Sequence, residues 1–151
     1  METFWIYPIY TSVLGIILII LVPRVEIKKL AIPAILLGGV GDIILLLLLK
    51  IIGIDFYVNY LPFGFRLPLF PPIAWSIWFI MFFYLLPEDK IIKYIYIVTA
   101  GAYSTLFANF LGNVHIIQWE YERLFIPLII YSSWFLIACW LKEKIDDQMN
   151  V

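Results

Sequence analysis

Residues 38–50 read GGVGDIILLLLLK, and this stretch decides the fold. Three glycines precede Asp42, and seven apolar residues follow it. Extended on both sides, the run is long enough to cross the hydrocarbon core of a bilayer, which takes about 20 residues of helix. Asp42 would then lie near the middle of a span, where an Asp costs about 3 kcal/mol on insertion. Something in the fold must hold the acid there.

The composition of the whole chain favours a membrane location. Of 151 residues, 64% are apolar and 14% are charged, whereas soluble domains are about 25% charged. The net charge of −1 predicts no basic surface that would attract nucleic acid. The length suits one domain, 1–151, and the single cysteine excludes an internal disulfide.

Five apolar runs predict five membrane-spanning helices, because a segment in lipid must pair its backbone groups internally. The predicted bounds are 3–22, 30–52, 70–86, 91–112 and 124–141. Proline stands at several of their ends, where its missing N–H costs least. The N-terminus lacks the basic residues of a secretory signal, so we expect the first run to be retained. The predicted fold class is therefore an all-α integral membrane protein, a bundle of five transmembrane helices.

The distribution of Lys and Arg predicts the orientation. With five spans, seven of these residues fall on one side, in the loops 23–29 and 87–93 and in the C-terminal tail; Lys50, Arg66 and Arg123 fall on the other. The more basic side is expected to be cytoplasmic. This arrangement places the N-terminus outside and the C-terminus inside a cell membrane, either a plasma membrane or a bacterial inner membrane.

Small residues predict which helix lies beside Asp42. Gly38 precedes the acid by one turn, and the fourth span carries a stripe of small residues, Ala100, Ser104, Ala108 and Gly112, which Gly101 and Thr105 widen. Small residues let two helix backbones approach closely, so the second and fourth spans are predicted to pack along these faces. The expected hydrogen-bond donors to the acid are Ser104 or Thr105, with Ser12 and Tyr103 as further candidates.

Two interpretations of Asp42 stay open. In the first, it is a protonated acid that fixes helix packing through hydrogen bonds, because desolvation disfavours the charged form. In the second, it lines a ligand pocket or relays a proton, since ionisable groups within membrane spans are functional candidates by default.

The connection IDFYVNYLPFGFRLPLFPP, residues 54–72, is too apolar for a free loop and too interrupted by Pro and Gly for a span. It is predicted to be an interfacial or re-entrant segment between the second and third spans. Arg66 is its only cation, and His115 and Asn109 belong to the facing end of the bundle. These groups are either wet interfacial residues or the mouth of a ligand site with aromatic walls.

No metal or cofactor is expected. Zinc and haem sites need ligands that His115 alone does not supply, because the chain has one His and one Cys. Neither HExxH nor GxxxxGK[ST] occurs, and no catalytic set is visible, so we do not expect an enzyme.

The stretch LPLFPPIAWSIWFIMFFYLL, residues 67–86, carries a proline pair followed by Trp at the start of a span. It resembles locally the tryptophan-rich sensory proteins, the translocator family, which have five spans and bind porphyrins or sterols. In that family the stretch precedes the second span, whereas here it precedes the third, and the family's late motif has no counterpart in the fifth span. The resemblance implies only that a flat hydrophobic ligand is conceivable.

The sequence favours a small multi-pass membrane protein that is not an enzyme and that binds a hydrophobic small molecule or a lipid, or serves as a subunit of a membrane complex. The alternative is a small transporter or proton-coupled carrier, working as a homo-oligomer, with Asp42 at the bilayer midplane. An intramembrane enzyme ranks last, because Asp42 and His115 lie at different depths. The expected partners are the lipid bilayer, a hydrophobic small molecule and other membrane subunits, and not nucleic acid.

Overall fold

The computed structural model describes residues 5–51, 56–58, 62–63, 67–118 and 123–149. The α-helices are α1 (Ile6–Leu21), α2 (Arg24–Ala34), α3 (Gly41–Ile51), α4 (Phe70–Tyr84), α5 (Lys90–Asn113) and α6 (Phe125–Met149). A π-helical segment, Ile35–Val40, joins α2 to α3, so that Arg24–Ile51 is one long helix. Two short strands, β1 (Pro62–Phe63) and β2 (Leu67–Pro68), pair antiparallel.

With the joined helix counted once, five helices follow one another in the described ranges, which confirms the predicted helical class and the predicted number. Three of them are long and apolar enough to cross a membrane: Arg24–Ile51, Lys90–Asn113 and Phe125–Asp146. The other two, α1 and α4, are apolar but have only 16 and 15 residues. At about 1.5 Å per residue they fall short of a hydrocarbon core of about 30 Å. The five-span threading therefore stays a prediction.

Two helices extend past the spans predicted from the apolar runs. The joined helix begins at Arg24 rather than near Leu30, and α6 continues beyond Leu141 to Met149. Ion pairs between helical neighbours stabilise both extensions: Lys29 Nζ lies 2.9 Å from Glu26 Oε1, and Lys142 Nζ lies 2.6 Å from Asp146 Oδ2. Counting apolar residues alone cannot detect these charged turns.

The chain divides into two compact units. The first contains 1–85 and 111–118, and the second contains 86–110 and 119–151. In the first unit, α4 packs against α1, α2 and the π-helical segment. Phe79, Phe82 and Phe83 of α4 are buried, and the ring of Phe79 meets those of the other two edge-on at 5.9 and 5.5 Å. The core of this unit is therefore aromatic and is supplied by one of its shortest helices.

Two consecutive glycines bring the π-helical segment against α4. A Cβ on Gly38 would lie 2.7 Å from the carbonyl oxygen of Trp75 and 2.8 Å from Cδ2 of Phe79, and one on Gly39 would lie 3.0 Å from the carbonyl oxygen of Pro72. Side chains do not fit at either position. The predicted packing of Gly38 on the fourth span is wrong, because this glycine contacts the third of the five helices.

The second unit is an antiparallel pair, α5 with α6. Lys93 pairs with Glu143 at 2.7 Å near one end, and Asn109 Nδ2 donates to the carbonyl oxygen of Arg123 at 2.6 Å near the other. Between them, Gly101 lies against Ser132, so closely that a Cβ would come within 3.0 Å of the Ser132 backbone nitrogen. Here too a residue of the predicted stripe region contacts a different helix from the one expected.

The contact at Gly38 predicts that alanine substitutions at two glycines have different effects on stability. Gly38→Ala should lower the free energy of unfolding by about 1–3 kcal/mol, because the methyl group meets backbone that cannot turn away. Gly15→Ala is the matched control: its Cβ would meet only Ile77 Cδ1, at 4.0 Å, and Ala favours a helix over Gly by about 1 kcal/mol. Thermal unfolding followed by Trp fluorescence in one detergent compares them. Equal midpoints for Gly38→Ala and wild type would contradict the contact.

Candidate functional site

Asp42 lies in the first turn after the π-helical segment, within the joined helix. Its side chain is buried, with 4% of the residue exposed. Its Oδ2 atom has no hydrogen-bond partner among the residues that the structure describes. Because a buried polar atom without a partner costs free energy, this carboxyl group needs an explanation.

The hydroxyl groups predicted to serve Asp42 donate elsewhere. Each bonds the carbonyl oxygen four residues earlier in its own helix: Ser12 to Pro8 at 2.8 Å, Ser104 to Ala100 at 2.9 Å and Thr105 to Gly101 at 2.9 Å. A hydroxyl has one hydrogen to donate, so these three donate no hydrogen bond to the acid, and the prediction is wrong for them; for Tyr103 it stays a prediction. Helix carbonyls lie within constant reach of such side chains and compete with distant acceptors.

Thr11 is the buried hydroxyl that the sequence analysis passed over in favour of Ser12. It is 6% exposed, and its Oγ1 atom has no hydrogen-bond partner in the described part of the chain. It shares the buried face of α1 with Tyr7, Leu14 and Leu18. Because α1 is apolar on all sides, its hydropathy does not reveal which face is buried. Only the helical spacing of these four residues indicates that they share one face.

His115 completes the C-terminal cap of α5. Its φ of 58° is in the left-handed region. The N–H of His115 donates to Gly112 at 3.1 Å, and the N–H of Ile116 donates to Leu111 at 3.0 Å. These two bonds define a Schellman motif, in which the residues flanking the cap make an apolar contact. Leu111 and Ile116 are both buried, as that motif requires. The position of His115 is thus explained by backbone geometry.

The other candidates at this end have structural partners or lie outside the described residues. Asn109 Nδ2 donates to Thr105 and to the backbone of Arg123, which ties the start of α6 to α5. Arg66 and seven other residues of the predicted interfacial segment, 54–72, lie outside the described residues. Of that segment, 56–58 runs antiparallel to 116–118, and the hydroxyls of Tyr57 and Tyr7 lie 3.1 Å apart.

A partly open groove lies between α5 and α6, near the start of α5. Its volume is about 640 Å³, within the range of about 300–1,000 Å³ typical of small-molecule sites. Apolar and aromatic side chains dominate its walls, and three charged residues border it. The lining residues are Lys90, Lys93, Tyr94, Ile97, Leu136, Ile137, Cys139, Trp140 and Glu143.

The three charged residues that line this groove, Lys90, Lys93 and Glu143, carry a net charge of +1. Lys93 pairs with Glu143 at 2.7 Å, whereas Lys90 forms no ion pair within the described residues and is exposed. Lys144 adds a further cation, with its Nζ 4.0 Å from the ring centroid of Trp140. The groove therefore combines apolar walls with a positive edge. The sequence indicated a ligand mouth only as one of two interpretations, and at the opposite end of these helices, because aromatic loops stand out in a sequence more than Lys and Trp spaced along helix faces.

Metal binding has little support in the side chains. Among the described residues, no three of His, Cys, Asp and Glu come together as a metal site would require.

Comparison with family models, with curated proteins and with solved structures found no match to this chain.

The cap at His115 predicts which substitutions the position accepts. His115→Asn should leave stability nearly unchanged, because Asn tolerates the left-handed conformation. His115→Val should cost about 1–2 kcal/mol, because a side chain that is branched at Cβ is strongly disfavoured in the left-handed region. Both variants lack the imidazole. Thermal unfolding midpoints in detergent distinguish them, and equal losses would assign the importance of His115 to its ring rather than to its backbone.

Proposed function

We propose that this chain is a small multi-pass membrane protein, not an enzyme, that holds an anionic lipid in the groove between α5 and α6. The observation that carries the proposal is the pairing of apolar walls with an uncompensated positive edge. An acyl chain fits the walls, and a phosphate headgroup fits Lys90, because Lys binds phosphate as a compact charge.

The proposed threading explains why the groove lies where it does. All five helices cross, with α1 and α4 accommodated by local thinning of the bilayer. The N-terminus is outside and the C-terminus inside, as the seven-to-three division of Lys and Arg favours. The groove then opens at the cytoplasmic surface of a plasma membrane or a bacterial inner membrane. Anionic lipids give a cytoplasmic leaflet its negative surface potential.

The aromatic residues of the groove suit the same depth. Tyr94 and Trp140 are about half exposed, and such side chains favour the water–lipid interface. Ile97 and Leu136 lie further from the charged edge, along the two helices. One lipid could thus place its headgroup at Lys90 and its upper acyl chain along the apolar wall.

A lipid fits this groove better than a helix of another subunit. From Lys90 to Ile97 the lining covers about two turns, or about 10 Å at about 1.5 Å per residue. Helices that pack against one another in membranes use longer faces lined by small residues, whereas this lining is made of Tyr, Trp, Leu, Ile and Lys. Assembly into a homo-oligomer or a membrane complex would use another surface.

The threading predicts opposite accessibility for the two ends of the chain. In a Cys139→Ala background, Glu2→Cys should react with an impermeant maleimide in intact cells. Lys144→Cys should react only after the membrane is opened. Mass-shift labelling on a gel reports both. Labelling of the two sites from the same side would exclude an odd number of spans.

Lipid binding is tested by native mass spectrometry in a mild detergent. Wild-type protein should retain phosphatidylglycerol in preference to phosphatidylcholine with the same acyl chains. Lys90→Gln should reduce the retained anionic lipid about fivefold, because one Lys near an anionic surface contributes about 1 kcal/mol. Lys28→Gln is the matched control, since Lys28 is exposed on α2 and does not line the groove. Equal losses in both variants would show only general charge attraction.

A second pair of variants tests the apolar walls of the groove and leaves its charged residues unchanged. Leu136→Trp should abolish retention of both lipids, whereas Ile129→Trp should not, because Ile129 is exposed on α6 outside the lining. If Leu136→Trp instead dissociated a dimer and left lipid binding intact, the groove would belong to self-association and the proposal would fail.

A further inference from the structure

The carboxyl group of Asp42 is enclosed and incompletely bonded. It lies in the middle of the joined helix, away from both helix ends, with 4% of the residue exposed and with Oδ2 unpartnered among the described residues. Three of the four hydroxyls that the sequence offered as donors, those of Ser12, Ser104 and Thr105, give their hydrogens to their own helices. From this geometry we propose that Asp42 binds an exchangeable proton and is the proton site of this protein.

The elements that make the main contacts with α3 provide no cation to balance a carboxylate at Asp42. α3 packs against α4 and the π-helical segment. α4 contains no Asp, Glu, Lys, Arg or His, and its one ionisable side chain, Tyr84, is exposed at its end. The π-helical segment, ILLGGV, has none. Within α3 the nearest cation is Lys50, eight residues on and about 12 Å away along the axis.

A proton satisfies this site where a metal ion would not. Sodium, calcium and magnesium require several oxygen ligands at once, and among the described residues no three of His, Cys, Asp and Glu come together to hold a metal ion. A proton needs one carboxyl group. A neutral acid avoids the large cost of an unpaired charge away from water, and losing the proton would create that charge and favour a rearrangement that admits water or a partner.

The π-helical segment is where such a rearrangement would begin. It ends at Val40, directly before the turn that carries Asp42. Single-turn π-helical departures are rare and are frequent at functional sites. Pro33 precedes the segment and removes a backbone donor from the helix. The helix is therefore least regular immediately before the acid, and this is the route we assign to proton exchange.

Infrared spectroscopy of the protein in lipid tests the inference directly. A protonated carboxylic acid has a C=O stretch separate from those of carboxylates and amides. Wild-type protein at neutral pH should show this band, and Asp42→Asn should lack it. If the Asn variant does not fold, Asp42→Glu replaces it as the test and should show the band at a shifted frequency. Glu88→Gln is the control, because Glu88 is exposed in the loop before α5 and should leave the band unchanged.

Transfer into D₂O separates a proton site from a sealed structural acid. The band should shift within hours if the proton exchanges. Absence of the band in folded wild-type protein would overturn the inference, and so would a band that stays unshifted for days. The lipid experiments use another unit of the chain, so a failure of one proposal leaves the other intact.

Discussion

The approach of the π-helical segment to α4 is the constraint on which the first unit depends. Gly38 and Gly39 leave no room for side chains, so the backbone of the joined helix lies directly on the backbone of α4. This contact seats Phe79 against Gly38 and allows Phe82 and Phe83 to pack beside it. In the proposed threading both helices cross the membrane, where the hydrophobic effect between helices adds little and close packing supplies much of the association energy. Two glycines thus do what larger apolar residues do in a soluble core.

The same contact bears on the environment of the acid. A helix that lies on bare backbone at Gly38 cannot rotate freely, so the residues that follow are fixed in depth and direction. Asp42 comes one turn later and is held where no charged side chain of α4 reaches it. The position of the acid is therefore fixed by helix packing rather than by hydrogen bonds. In the first interpretation drawn from the sequence, hydrogen bonds of the acid were instead expected to fix the helix packing.

Helix number and character could be predicted from sequence, because five apolar runs separated by proline and charge leave few alternatives. Which helices contact one another could not be predicted in this way. Gly38 and Gly101 were correctly identified as points of close approach, but small residues do not specify which neighbour approaches, and both contact helices other than those expected. The positions of hydroxyl groups in the sequence did not identify the hydrogen-bond partners of Asp42, since Ser12, Ser104 and Thr105 all donate to carbonyl oxygens of their own helices. The burial of Thr11 depends on which face of a uniformly apolar helix is covered.

The polar groups at the two ends of α5 are used differently, and this difference supports the proposed lipid site. At the His115 end, backbone geometry explains the His, Asn109 ties α5 to the following segment, and the Tyr57 hydroxyl meets that of Tyr7. At the Lys90 end, one cation forms no ion pair with any residue that the structure describes, and another lies over an exposed Trp ring, beside an apolar groove. Groups already bonded within the fold gain little from a ligand, whereas an uncompensated cation at an apolar edge gains a charge partner. Binding should therefore occur where the structure leaves charge unbalanced, which is the end that the loop sequences did not indicate.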